Sequence, residues 1–111
     1  MKKDKIVLFI DGKEETFERD LAKNPLNLTD YTNAGYLTYA SANFNKKEEI
    51  KPKDVDNIME ANIKFIVAYF QNQFTYDQCK NGLNPAFMNV LLPKLLEKAQ
   101  GVVGGEEFPK K

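Results

Sequence analysis

An Asp-Gly pair between two strand-forming segments is the feature that most restricts how this chain can fold. Residues 5–10 (KIVLFI) are apolar and largely β-branched or aromatic, a composition that favours an extended strand. Asp11 and Gly12 follow directly, and both residue types accept the positive φ angles of a two-residue type I′ turn. The sequence therefore predicts a β-hairpin in which residues 13–18 run back antiparallel to residues 5–10.

The two-residue turn also fixes which residues of the two strands pair. In this register the first strand is apolar on both faces and the second is largely polar, so we expect the rest of the domain to cover one face of the first strand. The second strand is expected to form an exposed edge protected by its charges. A lone hairpin is marginal in water and has to pack on other elements. The predicted pairs are Ile10–Lys13, Phe9–Glu14, Leu8–Glu15, Val7–Thr16 and Ile6–Phe17.

Two longer helices are predicted after the hairpin. The first begins at Asn27 or Thr29, either of which can cap it, and ends near Asn43. The second extends from Pro52 to Gln73, with apolar residues at three- and four-residue spacing that become denser toward its C-terminal end, which should be the most buried. The apolar surface of the first helix comes from Leu28, Tyr31, Leu37, Tyr39, Ala40 and Phe44.

A short helix over residues 76–81 is predicted from a capping box and a stop residue. Thr75 supplies the capping hydroxyl, and Gln78 stands three residues later. Gly82 is typical of the position just beyond a helix C-terminus, where a left-handed residue ends the helix.

The last helix starts at the pair Asn84-Pro85 and extends to about residue 99. Pro93 lies inside it, and because its ring clashes with the carbonyl of Asn89, we expect a kink or a break there. The predicted fold is therefore α+β and mostly helical, with an N-terminal β-hairpin followed by three to four helices. Residues 1–100 should form a single domain, and residues 101–111, which have little to bury, a flexible C-terminal tail.

The composition argues against catalysis and against metal or cofactor binding. The chain has no His and one cysteine, Cys79, so it cannot build a His-based triad, a structural zinc site or an internal disulfide. The acids Asp54, Asp56 and Glu60 are explained by the dipole at the start of the second long helix. We therefore predict no catalytic, metal or cofactor-binding residue, and a structural role for the cysteine.

The charge balance and hydropathy argue against nucleic acid and membranes as partners. Sixteen basic and sixteen acidic residues cancel, and the longest apolar runs are far shorter than the ~20 residues that span a bilayer. The aromatic residues recur at helical spacing, which is typical of a core. They are Phe65, Tyr69, Phe70, Phe74 and Tyr76. The residues alone thus predict a soluble, cytoplasmic, non-enzymatic domain that acts by contacting other proteins.

The order of three segments resembles a known protein family. The opening KIVLFIDGKEETF (5–17), the stretch FQNQFTYDQCKNGL (70–83) and the amphipathic last helix before a short Gly-rich acidic tail resemble the tail assembly chaperones of long-tailed phages and prophages of low-GC Gram-positive bacteria. Fifteen of the sixteen basic residues are Lys and eleven residues are Asn, which fits the AT-rich coding of such a host. The segment 19–44, rich in Asn, Thr and Tyr, departs from the family pattern.

The resemblance implies an assembly factor in the host cytoplasm that is absent from the mature virion. It implies binding to the tape measure protein, a long helical chain, and to the tail tube protein whose subunits it helps to recruit. A homo-oligomer is compatible with coating a long client. A client helix would dock in an apolar groove, and the candidate partner-binding residues, which serve equally well as a monomer core, are Phe70, Phe74, Leu92, Leu95 and Leu96.

Two other functions remain open at this point. The chain could be a structural virion component, such as a tail completion or connector protein, which its detection in purified particles would support. It could also be a small regulatory DNA-binding protein, although the balanced charge argues against that.

Overall fold

A computed structural model describes residues 3–101 of the 111-residue chain. The elements follow the predicted order of a hairpin and then helices, so the described part is α+β and mostly helical, as predicted. The predicted tail over residues 101–111 lies, apart from Gly101, outside the described residues, and the single-domain boundary stays a prediction. The elements are β1 (Lys3–Ile10), β2 (Lys13–Asp20), α1 (Leu28–Lys46), α2 (Pro52–Tyr69), α3 (Tyr76–Gly82) and α4 (Pro85–Ala99).

The hairpin has the predicted register at every pair. β1 and β2 form a two-stranded antiparallel sheet, and the turn residues Asp11 and Gly12 have φ angles of 52° and 80°, as a type I′ turn requires. On β1 the side chains of Ile6 and Leu8 are fully buried while Phe9 on the opposite face is exposed, so the rest of the fold covers one face. β2 is mostly exposed, which agrees with a charged edge strand.

The first two helices begin where the sequence predicts but differ at their ends. Asn27 caps α1 through a reciprocal pair of hydrogen bonds with Asp30, at 3.1 and 2.9 Å. α2 ends at Tyr69, four residues earlier than predicted, because Gln71 and Asn72 adopt left-handed φ angles of 60° and 61°. These two residues turn the chain out of the helix, and periodicity alone does not reveal that reversal.

Gly82 marks the end of α3, as predicted, but it does not end the helix as a left-handed residue. Thr75 and Gln78 form the predicted capping box of α3, with hydrogen bonds of 3.0 and 2.9 Å. Gly82, however, is the last helical residue and its φ is not positive. A Cβ atom at this position would lie 2.6 Å from the carbonyl oxygen of Phe9, so glycine permits α3 to approach the backbone of β1.

α4 continues through Pro93 without a break. Asn84 caps the helix by accepting hydrogen bonds from the N–H groups of Ala86 and Phe87. The proline removes the donor that would pair with the carbonyl of Asn89, but both residues are exposed, so water can satisfy that carbonyl. Of the two expected outcomes, a kink or a break, the break does not occur, because the site of the lost hydrogen bond faces solvent.

The core lies between the covered face of the hairpin and the four helices. The C-terminal half of α2 is its centre, as predicted, with Ile63, Phe65, Ile66 and Tyr69 buried. α1 packs on α2, α3 packs on β1 and α2, and α4 packs on α1 and α2. Within residues 3–101, no helix combines the length and the apolar character needed to cross a membrane.

Candidate functional site

A buried arginine connects the hairpin to the helices. Arg19, on β2, is 1% exposed and uses all five of its N–H donors. Two donate to the carboxylate of Asp30 on α1, at 2.9 and 3.0 Å, and the other three donate to the backbone carbonyls of Asn24, Pro25 and Tyr69. The guanidinium also lies 4.9 Å from the centre of the Tyr69 ring. Sequence reasoning missed this site, although the single arginine among fifteen lysines marks it.

The buried polar network extends from this arginine to the first strand and the last helix of the fold. The hydroxyl of Tyr69 donates a 2.6 Å hydrogen bond to Asp4 on β1, and the ammonium of Lys98 on α4 pairs with the same carboxylate. Burial raises the pKa of the Tyr69 hydroxyl, and the hydrogen bond to Asp4 raises it further, so tyrosine remains a neutral donor. The network joins β1, β2, α1, α2 and α4, and it holds α1 in a fixed position on the rest of the fold.

The other candidate groups have structural and not catalytic surroundings. Cys79 is fully buried, and burial raises the pKa of its thiol to about 11, so it is not a thiolate at neutral pH. Asp54 accepts a 2.9 Å hydrogen bond from the N–H of Lys51, and this bond lowers the carboxyl pKa. Among residues 3–101, no three potential metal ligands of the His, Cys, Asp and Glu types lie together. The arrangement of these groups favours packing and helix capping.

The five predicted partner-binding residues differ in accessibility. Phe70, Phe74 and Leu95 are buried, with the rings of Phe70 and Phe74 5.9 Å apart. Leu92 and Leu96, one turn apart on α4, are half-buried and pack against the same core. Only these two offer surface to a partner in this structure. Partner binding by the set stays a prediction, and its accessible part is the flank of α4 that these two leucines form.

The most distinctive exposed surface is on α1. Residues 31–45 contain no charged side chain, although 29% of the chain is charged. Large apolar and aromatic side chains nevertheless point to solvent, and we call them the tyrosine face. It consists of Leu28 (81% exposed), Tyr31 (56%), Tyr36 (70%) and Tyr39 (70%).

The composition of the tyrosine face matches that of protein-binding surfaces. Aromatic residues are enriched and charged residues are depleted at the centres of protein interfaces. Beside Tyr36 a groove of about 370 Å³ separates α1 from α2, and its apolar lining includes Leu37, Ala61 and Phe65. Sequence reasoning assigned Leu28, Tyr31 and Tyr39 to the apolar surface of this helix without distinguishing core from solvent, because apolar spacing alone does not specify which side of the helix is covered.

Comparison with known proteins gives a match at the level of a protein family. A family model described as phage tail chaperone protein matches residues 1–111, which is the full length of the chain. No curated protein and no solved structure matches it. The match therefore spans the hairpin, all four helices and the segment of α1 that carries the tyrosine face.

Proposed function

The chain belongs to the phage tail chaperone family, and we propose that it binds the tape measure protein, keeps it soluble and assists assembly of the tail tube. In this role it is not an enzyme. It acts in the host cytoplasm and is absent from the mature virion. Its second partner is the tail tube protein, whose subunits it helps to recruit to the bound tape measure.

The main support for this proposal is the exposure of the tyrosine face. A long helical client presents apolar side chains at three- and four-residue spacing, and such a helix docks on an apolar groove of its partner. Tyrosine contributes large contact area and retains a hydroxyl that binds water when the client is absent. The face is accessible in the free chain because its four large side chains are exposed on α1.

The geometry around α1 supports rigid docking at this face. Asp30, in the first turn of α1, is held by Arg19, and the Gln100 side chain donates a 2.8 Å hydrogen bond to Thr38. Both ends of the tyrosine face are therefore anchored to other parts of the fold. A surface that is already ordered loses less conformational entropy when a client binds.

Co-expression with the tape measure protein encoded by the same phage tests the proposal. We expect the tape measure protein to be soluble with the wild-type chain and insoluble without it. The double variant Tyr31→Lys/Tyr39→Lys should reduce the soluble tape measure protein at least tenfold. The matched control Ile50→Lys/Val55→Lys makes the same charge change at two other exposed apolar residues and should retain wild-type solubility.

Two results would contradict this function. If the tape measure protein is equally insoluble with and without the chain, the chaperone role fails. If the chain is a stoichiometric component of purified phage particles, it is a structural virion component, such as a tail completion or connector protein.

A further inference from the structure

The outer edge of β1 carries backbone groups that pair with no other element. In an antiparallel pair, alternate residues direct their N–H and C=O groups to the partner strand. The two-residue turn places the ladder bonds to β2 at Ile10, Leu8, Ile6 and Asp4, so the groups of Lys3, Lys5 and Val7 point outward. Within residues 3–101, none of these outward groups forms a hydrogen bond to another element.

α3 closes one end of this edge and leaves the other end open. Gly82 packs directly on the backbone of Phe9, where even a Cβ atom would clash. The free edge therefore extends from Lys3 to Val7, about 17 Å at the usual rise of a strand. That length accepts a strand of the average size found in proteins.

α4 forms the opposite wall of a groove along the free edge. No Cα atom of α4 lies within 8 Å of a Cα atom of β1, and the space between them is a groove of about 420 Å³. Its apolar lining includes Val7, Phe87 and Val90. Because neighbouring strands lie about 4.8 Å apart, an added strand would lie along the β1 wall of this groove.

The charge of the groove identifies the chemistry of its occupant. Lys3, Lys5, Lys94 and Lys98 line it, and its single acid, Asp4, is paired with Lys98. Glu18 on β2 lies 3.8 Å from the ammonium of Lys3 and 3.7 Å from that of Lys5, in exposed ion pairs that contribute little stability. The groove thus has an excess of positive charge above an apolar floor, whereas the whole chain is neutral.

We propose that the β1 edge binds an extended segment of a partner protein, in which acidic residues alternate with apolar ones, by adding it to the sheet as a third strand. Its backbone pairs with Lys5 and Val7. Its acidic side chains lie opposite Lys3 and Lys5, and its apolar side chains contact Phe87 and Val90. This site is separate from the tyrosine face and goes beyond the function proposed above, because it recognises an extended chain and not a helix.

A synthetic peptide that alternates valine and glutamate over about eight residues tests this proposal. We expect the full-length chain to bind it in fluorescence anisotropy, and to bind the valine–lysine counterpart at least tenfold more weakly. Hydrogen exchange of the Lys5 and Val7 amides should slow at least tenfold with peptide. The amides of Ile6 and Leu8, already in the β1–β2 ladder, provide the internal control.

Two variants separate edge pairing from simple charge attraction. Val7→Pro removes an outward N–H and should raise the peptide Kd at least tenfold. Thr16→Pro is the matched control, because Thr16 pairs with Val7 but directs its N–H to the far edge of β2. The pair Lys5→Glu/Lys94→Glu, which retains every backbone donor, should weaken binding of the glutamate peptide and strengthen binding of the lysine peptide.

Several outcomes would overturn the proposal. Equal binding of the two peptides, or unchanged exchange at Lys5 and Val7, would exclude strand addition of an acidic segment. Peptide binding only after deletion of residues 102–111 would assign the groove to the chain's own C-terminal segment. A self-association that Val7→Pro abolishes would assign it to a second copy. Retained co-expression activity of Val7→Pro would leave the chaperone function intact, so the two proposals fail separately.

Discussion

At the scale of single residues, Arg19 makes more side-chain hydrogen bonds than any other residue of the described range. Its five hydrogen bonds fix the loop after β2, the first turn of α1 and the end of α2, all within a buried site. Lysine, with three donors on one nitrogen, cannot reproduce the planar fork that binds Asp30 with two parallel hydrogen bonds. Among the basic residues of the described range 3–101, the exposed ones are lysines and the fully buried one is Arg19, and this difference follows from the geometry of the two groups.

Arg19→Lys is expected to lower the free energy of unfolding by about 3 kcal/mol, because a buried charge would remain with part of its hydrogen bonds lost. Urea denaturation monitored by circular dichroism measures this change. The control Lys64→Met removes an exposed ion pair with Glu60, 2.8 Å long, and should change stability by less than ~0.5 kcal/mol. A loss for Arg19→Lys as small as that of the control would show that the network contributes no net stability.

The buried thiol of Cys79 predicts a loss of stability in alkaline solution. Its pKa is raised from an ordinary value of 9.0 to about 11, so the folded state keeps a proton that the unfolded state releases. The stability that the raised pKa contributes is fully present below pH 9 and is lost as the pH rises from 9 to 11. Between pH 7 and pH 10, the wild type should lose about 1.4 kcal/mol more than Cys79→Ala in urea denaturation. Equal losses of unfolding free energy in the two proteins would contradict a raised pKa of Cys79.

At the scale of elements, the sequence predicts what is determined locally. The hairpin register follows from the turn residues, and the cap at Asn27 and the capping box at Thr75 depend on residues close in sequence. The contacts that sequence reasoning missed are distant in the chain. Arg19 meets Tyr69 across fifty positions, and Gly82 meets Phe9 across more than seventy. Such pairs depend on how the elements pack, which local patterns do not specify.

The candidate site was predicted less completely than the fold, for the same reason. Apolar spacing identifies side chains that leave water on folding, but a core residue and a client-binding residue have the same spacing. Phe70, Phe74 and Leu95 therefore could not be separated from Leu92 and Leu96 until the helices were packed. The tyrosine face could not be recognised from the sequence because α1 has apolar residues around much of its circumference.

The two glycines at helical positions predict opposite effects of the same substitution. Gly82→Ala would place a Cβ atom 2.6 Å from the carbonyl oxygen of Phe9 and should destabilise the fold by about 2 kcal/mol, since the backbone of α3 or β1 has to move. Gly35→Ala, on the exposed side of α1 with nothing within 4 Å, should stabilise it by about 0.5–1 kcal/mol through helix propensity. Thermal unfolding compares the two, and a stabilised Gly82→Ala would show that α3 does not pack closely on β1.

At the scale of the whole molecule, the formal net charge of zero and the tyrosine face act together. Charge far from zero keeps proteins apart in solution, and this chain has none to oppose contact between exposed aromatic surfaces. The buried network anchors the first turn of α1 to the rest of the fold, so ordering the tyrosine face costs less when two copies meet. A chain with these properties is expected to self-associate when its client is absent, and a client would compete with a second copy for the same surface.

Sedimentation velocity across the micromolar range tests this competition. The average mass of the wild type should rise above the 12.7 kDa monomer with concentration, while Tyr31→Lys/Tyr39→Lys should remain monomeric because its face carries two charges that resist desolvation. The control Ile50→Lys/Val55→Lys adds the same two charges elsewhere and should still associate. If both variants are monomeric, net charge and not the tyrosine face controls association. If the wild type is monomeric at every concentration, the tyrosine face does not bind a second copy, and competition between self-association and client binding is excluded.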